Sequence, residues 1–160
     1  MSQEQQAAVI TVSDRSAAGH REDLSGPLAV QLLTDRGWRC RTAVVPDEVA
    51  DIRAAVRAEV ARGARLVVTS GGTGVSPRDV TPEAMDGLFD KELPGVADAL
   101  RRRGESATAH ALLSRGRAGT AGGAFVVNLP GSPGGVRDGI PLVAMLAEHV
   151  LDQLGGEDHA

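Results

Sequence analysis

Four short runs of apolar, largely β-branched residues, separated by stretches with helical spacing, constrain this chain more than any other feature. The first is Ala8-Val9-Ile10-Thr11-Val12. It is too short for a helix and continuously apolar, as expected of a parallel strand covered on both faces. The others are Cys40 to Val45, Leu66-Val67-Val68-Thr69, and Ala124 to Leu129. Between the first two, Ser25-Gly26-Pro27 opens a helix, with Ser25 or Gly26 as N-cap and Pro27 in its first turn. Leu28, Leu32 and Leu33 form its apolar stripe, and Arg36-Gly37 ends it. Val49, Ile52, Val56 and Val60 then mark a helix to about Arg62. A further helix covers Gly95 to Arg103. Ala111 to Ala118 reads as another strand, joined to Ala124 to Leu129 by a Gly-rich turn. Pro130-Gly131-Ser132-Pro133 launches the last helix, which buries Val136, Ile140, Val143, Leu146, Val150, Leu151 and Leu154 and which Pro141 should kink. The tail from Gly155 to Ala160 should fray. The alternation predicts an α/β fold with three layers: a mostly parallel sheet with helices on both faces. The 160 residues suit a single domain, with its core at about residues 8–154.

Composition removes several function classes. Aromatic residues make up 2% of the chain and Tyr is absent, which leaves no stacking platform for single-stranded nucleic acid. The net charge of -4 offers no global attraction to nucleic acid or to an anionic membrane. Arg101-Arg102-Arg103 reads as a solvated helix end. Cys40 stands alone, so it makes no internal disulfide, and between Arg39 and Arg41 it reads as a buried structural thiol. The histidines, His20, His110, His149 and His159, are scattered away from zinc spacing. The polar MSQEQQ stretch is not a signal peptide, and no apolar run reaches membrane-spanning length. The expectation is a cytoplasmic protein with neither nucleic-acid nor membrane partners.

The chemistry concentrates in loops after strands. Thr69-Ser70-Gly71-Gly72-Thr73-Gly74 follows the third strand. Its glycines permit positive φ and close approach of a ligand, and its backbone N–H groups can hold phosphate oxygens. Ligands of open α/β sheets bind at this strand end. No Gly-Lys-Ser/Thr follows, so this is not a Walker loop, and Lys91 is the chain's one lysine. Phosphate charge must then meet backbone dipoles, arginine or a metal. Asp79, at the far end of the loop, is compatible with a polyphosphate only if a cation stands between them. Mg²⁺ does this with one or two carboxylates and phosphate oxygens. Asp47 follows the second strand and shares the edge if the strands are parallel. It reads equally well as the N-cap of the next helix, whereas Asp79 is free of that duty because Thr81 caps the Thr81-Pro82-Glu83 helix. Ser13-Asp14-Arg15, Asp23 to Pro27, and Asn128 to Pro133 should converge on the same edge, the latter two offering helix N-termini to an anion. Arg15, Arg78 and Ser114 can add donors.

These segments, taken in order, resemble the Mog/MoaB family of molybdenum cofactor biosynthesis, including the G domain of plant Cnx proteins and of gephyrin. The matching stretches are Thr11 to Arg15, Asp23 to Pro27, Val45-Pro46-Asp47-Glu48, Thr69 to Gly74, Ser76 to Ala84, Leu113-Ser114-Arg115, and Asn128 to Pro133. The resemblance implies a homotrimer that binds molybdopterin and Mg-ATP, makes adenylylated molybdopterin and pyrophosphate, and supplies a molybdenum insertase. It implies catalytic, metal-holding roles for Asp79 and Asp47. It places the nucleotide on Gly71, Gly72, Thr73 and Gly74, and counts Ser25, Gly26, Ser70, Thr81, Pro82 and Glu83 among the ligand-binding residues. Ser13, Asp14, Ser114, Pro130, Gly131 and Ser132 fall on the pterin and phosphate side. Three alternatives remain at this level: a non-catalytic, MoaB-type molybdopterin-binding protein, a nucleotide pyrophosphatase like the domain of competence-damage proteins, and a structural trimerisation module.

Overall fold

The computed structural model describes residues 5–156; residues 1–4 and 157–160, and with them most of the polar lead-in and of the tail, lie outside the described residues. The elements are β1 (Gln6–Val12), α1 (Asp14–Ala17), α2 (Ser25–Thr34), β2 (Arg39–Val45), α3 (Val49–Ala61), β3 (Leu66–Ser70), α4 (Thr81–Ala84), β4 (Lys91–Glu92), α5 (Pro94–Glu105), a 3₁₀ turn (Ala109–Leu113), β5 (Ala118–Ala121), β6 (Ala124–Leu129) and α6 (Pro133–Leu154). The described strands form one sheet in the order β2-β1-β3-β6-β5-β4. β2, β1, β3 and β6 run parallel, and β5 runs antiparallel to both of its neighbours.

The continuous apolar runs become strands because both faces of the sheet are covered. Ala7 and Val9 of β1 pack with Leu66, Val68, Phe125 and Val127 under α2 and α6, whereas Ala8, Ile10 and Val12 pack with Val67 and Val126 under α3 and α4. From β1 the chain steps outward to β2 and then back past β1 to β3. Right-handed crossovers in opposite directions put α2 and α3 on opposite faces. This reversal also opens a crevice between the ends of β1 and β3, where an open α/β sheet receives its ligand.

Several local expectations give way to tertiary contacts. Ala111 to Ala118 is not one strand: Ala109–Leu113 forms the 3₁₀ turn, and β5 begins only at Ala118. Thr108 caps that turn by accepting from the His110 N–H. Neither Ser25 nor Gly26 caps α2. Asp23 does so, its Oδ1 accepting from the Gly26 N–H at 2.9 Å, so this helix N-terminus already faces a carboxylate from the chain itself. Thr81 is not the cap of α4; its hydroxyl turns inward and donates to the Gly71 carbonyl at 2.9 Å. Arg101 is no solvated helix end, because its guanidinium donates to the carbonyls of Ser114 and Gly116. Cys40 is half-buried, and burial pushes its thiol above the ordinary range. α6 continues through Pro141; it buries Val136, Ile140 and Val143, but leaves Leu154 exposed at its end. Gly155 and Gly156 form the turn after α6.

Candidate functional site

Parallel register brings the predicted loops together. Val12 stands opposite Val45, Thr11 opposite Ser70, and Ser70 opposite Leu129. Ser13, Asp47, Gly71 and Pro130 therefore leave the sheet at one edge. The junction is tied by the Ser13 N–H to the Val45 carbonyl (2.9 Å) and the Gly71 N–H to the Leu129 carbonyl (3.0 Å). Beneath it, the buried Ser70 hydroxyl lies 3.0 Å from the Ser25 hydroxyl and 3.1 Å from the Pro130 carbonyl. A cleft of about 650 Å³ opens above these strand ends.

The Gly-rich turn forms one side of the cleft. Gly71 and Gly72 both have positive φ, 109° and 70°. A Cβ on Gly71 would meet the Val12 carbonyl, and one on Gly72 would meet the Thr81 hydroxyl. Only glycine fits at these two places. The carbonyls of Gly71 and Gly72 are occupied by the Thr81 hydroxyl and N–H. The N–H groups of Gly72, Thr73 and Gly74, by contrast, donate to nothing among the described residues. Three successive free amides in a cleft-lining turn make an anion cradle that needs no lysine, and Lys91 lies on β4, at the opposite edge of the sheet from β2.

Two carboxylates approach this turn. Asp47 Oδ1 lies 3.2 Å from the position a Gly72 Cβ would take, and Asp79 Oδ2 lies 2.8 Å from that of Gly74. Asp47 is not the helix cap. Its Oδ2 accepts from the Asp14 N–H at 2.9 Å, and Asp14 Oδ1 accepts from the Asp47 N–H at 2.9 Å. The reciprocal pair locks the loops after β1 and β2 to each other. Asp79 Oδ2 accepts from the Ser76 N–H, which fixes the carboxylate within its own loop. Arg78 is engaged in the protein, donating both arms of its fork to Asp14 (3.0 and 3.1 Å) and Nη2 to Glu48 (2.9 Å). Those contacts hold the Asp14 carboxyl below the usual range and raise the Arg78 guanidinium.

Burial, and then the nearby charges of Asp14 and Asp79, push the Asp47 carboxyl above its ordinary value, against the opposing effects of the Asp14 N–H and of Arg78. The Asp47 and Asp79 carboxylates thus stand together beside the amide cradle. The donor set fits a hard divalent cation. No group of three or more His, Cys, Asp or Glu side chains among the described residues is arranged to hold a metal. Asp47 and Asp79 would therefore supply part of a Mg²⁺ shell, the rest coming from phosphate and water, as is usual for this ion.

Ser13, Ser25, Asp47, Ser70 to Gly74, Asp79, Ser114 and Pro130 to Ser132 all line the cleft. Asp14, Gly26, Thr81, Pro82 and Glu83 do not. Asp14 braces Asp47, and Thr81 ties the Gly-rich turn. The Pro82 carbonyl accepts from Arg117, and Glu83 pairs with Arg115. Arg15 does not line the cleft either. At α6, Ser132 is the N-cap and accepts from the Gly135 N–H, as its motif suggests. Sequence reasoning missed the opposite wall, formed by Ala97, Leu100, Gly104, Ala107, Ala111 and Leu113. It also missed Arg21, a cleft residue with no side-chain partner among the described residues. Small apolar residues at helical spacing and one loop arginine carry no signal that separates them from ordinary packing and ordinary surface.

Comparison with known proteins agrees with this fold and identifies its family. The family model described as "Probable molybdopterin binding domain" matches residues 8–149. The "Molybdenum cofactor biosynthesis bifunctional protein" of Synechococcus elongatus is 46% identical over 96% of this chain, and the chain spans about half of it, 48%. The "Molybdopterin adenylyltransferase" of Pyrococcus furiosus is 38% identical over 89% of this chain and 87% of its own length. A crystal structure of a molybdopterin biosynthesis protein from Mycobacterium abscessus superposes with a TM-score of 0.90 at 43% identity, covering 96% of this chain and 98% of that one.

Proposed function

Because the chain belongs to the Mog/MoaB family of molybdopterin-binding domains in molybdenum cofactor biosynthesis, we propose that it transfers the adenylyl group of Mg-ATP to the terminal phosphate of molybdopterin. A phosphate oxygen of the pterin attacks the α-phosphorus of ATP. The bond from that phosphorus to the bridging oxygen breaks, and pyrophosphate leaves with the electron pair. Both reactants are anions, so the barrier is mainly repulsion and alignment. The free amides of Gly72, Thr73 and Gly74 bind and orient the phosphates. Asp47 and Asp79 would hold Mg²⁺, which when bound supplies charge neutralisation at the phosphates. The apolar wall from α5 to Leu113 would take the pterin side. No protein nucleophile is required.

The observation that carries this reading is the juxtaposition of the free amides of Gly72, Thr73 and Gly74 with the Asp47 and Asp79 carboxylates, which approach the same turn. A protein that only held molybdopterin would be weakened by such a pair, since the pterin's phosphate is itself negative. An enzyme that brings a cation with its nucleotide is not. A homotrimer and delivery of the product to a molybdenum insertase belong to the same proposal.

The test is incubation with molybdopterin and Mg-ATP, with chromatography for adenylylated pterin and pyrophosphate, comparing wild type with Asp79→Asn. Product from wild type, and loss of turnover with retained pterin binding in the variant, is expected. Pterin binding without product would move the assignment to a binding protein. Gly72→Val is a poor probe of the nucleotide site, because its side chain meets Thr81 before any ligand arrives.

A further inference from the structure

Asp79 is carried on a loop that leaves the Gly-rich turn at Gly74 and returns to the body of the protein at Thr81. Val75, near its start, is well exposed, and the loop's internal ties are short-range: Asp79 N–H to the Ser76 carbonyl and Ser76 N–H to Asp79 Oδ2. These bonds keep the carboxylate fixed within the loop. They do not fix the loop against the amide cradle.

Arg78 ties the loop to Asp14 and Glu48, on the β1 and β2 side, and one side chain from a distant segment ties it to the Gly-rich turn. Arg115, which follows the 3₁₀ turn, donates Nε to the Gly74 carbonyl at 2.9 Å and Nη2 to the Asp79 carbonyl at 3.0 Å. Its Nη1 pairs with the Glu83 carboxylate at 2.9 Å. Its own backbone N–H donates to the Thr73 carbonyl at 2.7 Å. The planar fork therefore bridges the beginning and the end of the loop, while Glu83 holds the guanidinium in the bridging orientation. Arg115 does not line the main cleft. A lysine, with one compact ammonium on a flexible stem, cannot span the two carbonyls and the carboxylate together.

We propose that Arg115 is a positioning residue that sets the separation between the amide cradle and the Asp79 carboxylate without touching either substrate. The inference rests on the adenylyl-transfer reading above. Its guanidinium acts on two backbone carbonyls, so its loss displaces Asp79 and leaves the strands in place. A displacement of about 1 Å at such a site costs on the order of 10²-fold in rate.

The test combines Arg115→Ala and Arg115→Lys with steady-state kinetics and with rapid hydrogen exchange followed by peptide mass analysis. For Arg115→Ala we expect kcat to fall on the order of 10²-fold, with KM for molybdopterin little changed. Exchange should accelerate at Ser76 and Asp79 and stay unchanged in β3 and β6. Millimolar guanidinium should restore part of the lost rate, and Arg115→Lys should not. Unchanged exchange at Ser76 and Asp79, a wild-type kcat, or acceleration spread over the whole sheet would each overturn the proposal; the last would make Arg115 a residue of general stability. If wild type makes no adenylylated product, the adenylyl-transfer reading falls, while the exchange measurement still decides whether Arg115 sets the loop.

Discussion

On the Gly-rich side of the cleft every segment is anchored to the end of a parallel strand, whereas the opposite wall, from α5 through the 3₁₀ turn, is held by helix packing, with Val96 and Leu100 of α5 set against the α6 side of the core and the turn resting on α5. The first side is built from Ser13, Asp47, Ser70 to Gly74 and Pro130, whose places follow from the register of β1, β2, β3 and β6. The wall is closed by the approach of Gly104 to Ala111, where a Cβ on the glycine would lie 2.6 Å from the alanine Cβ, and it is strapped by Arg101 to the Ser114 and Gly116 carbonyls. The difference matches the two tasks. Aligning phosphates and a cation depends steeply on distance, so those groups sit where the sheet leaves little freedom. Contact with an apolar ring surface is non-directional and tolerates a wall that adjusts.

The largest effect that sharpens this contrast is expected at Asp47. Asp47→Asn should lower kcat on the order of 10²- to 10³-fold, as when a preorganised electrostatic group is lost. It should not destabilise the protein, because the Asn carbonyl still accepts from the Asp14 N–H. Since burial raises the Asp47 carboxyl above its ordinary range, ionising it disfavours the folded state. The penalty is present at neutral pH and disappears as pH falls below the usual Asp value of about 3.9. The variant should therefore melt at or above the wild-type temperature at pH 7, with no advantage near pH 3.5. A clear drop in Tm at pH 7 would mark Asp47 as a framework residue and erase the distinction between the site and its support.

Ser70→Ala probes the support itself. The hydroxyl is buried between Ser25 and the Pro130 carbonyl, so its removal should cost about 1–2 kcal/mol in urea denaturation while any active site that forms keeps its kcat. The smallest effect belongs to the wall. Leu113 is 55% exposed, and Leu113→Ala should change stability by less than about 0.5 kcal/mol. It should raise KM for molybdopterin roughly fivefold, the equivalent of about 1 kcal/mol of apolar contact. A large fall in kcat with unchanged KM would show that the wall aligns the reaction as the Gly-rich side does.

Much of this architecture is legible in the chain. β1, β3 and β6 are unbroken apolar runs, and a run buried on both faces needs no finer pattern to be recognised. The Gly71-Gly72 pair is legible because positive φ is a property of glycine itself. The errors share one cause. Ala111 to Ala118 has strand-like composition, yet its first part is bent into a 3₁₀ turn by the Thr108 cap and the Arg101 strap. Thr81 and Asp47 both have good capping chemistry for the helices that follow them. Each instead serves a more distant partner, the Gly71 carbonyl for Thr81 and the Asp14 N–H for Asp47. Arg78 looks available for phosphate and is held by Asp14 and Glu48. Local propensity ranks the options open to a side chain, and tertiary context selects among them.

What the sequence determined by itself is the alternation of strand and helix, the position of the glycine turn after β3, and the identity of the acids near it, because periodicity, backbone freedom and charge are properties of residues and of their nearest neighbours. Only the tertiary structure decided which acid faces the turn, which one braces it, and how Arg78 and Arg115 tie the loop that carries Asp79. Those roles depend on partners far away in the chain, 33 residues for Asp14 and Asp47, 64 for Asp14 and Arg78, and 36 for Asp79 and Arg115. Such partners meet only once the parallel register of the sheet has brought the strand ends side by side.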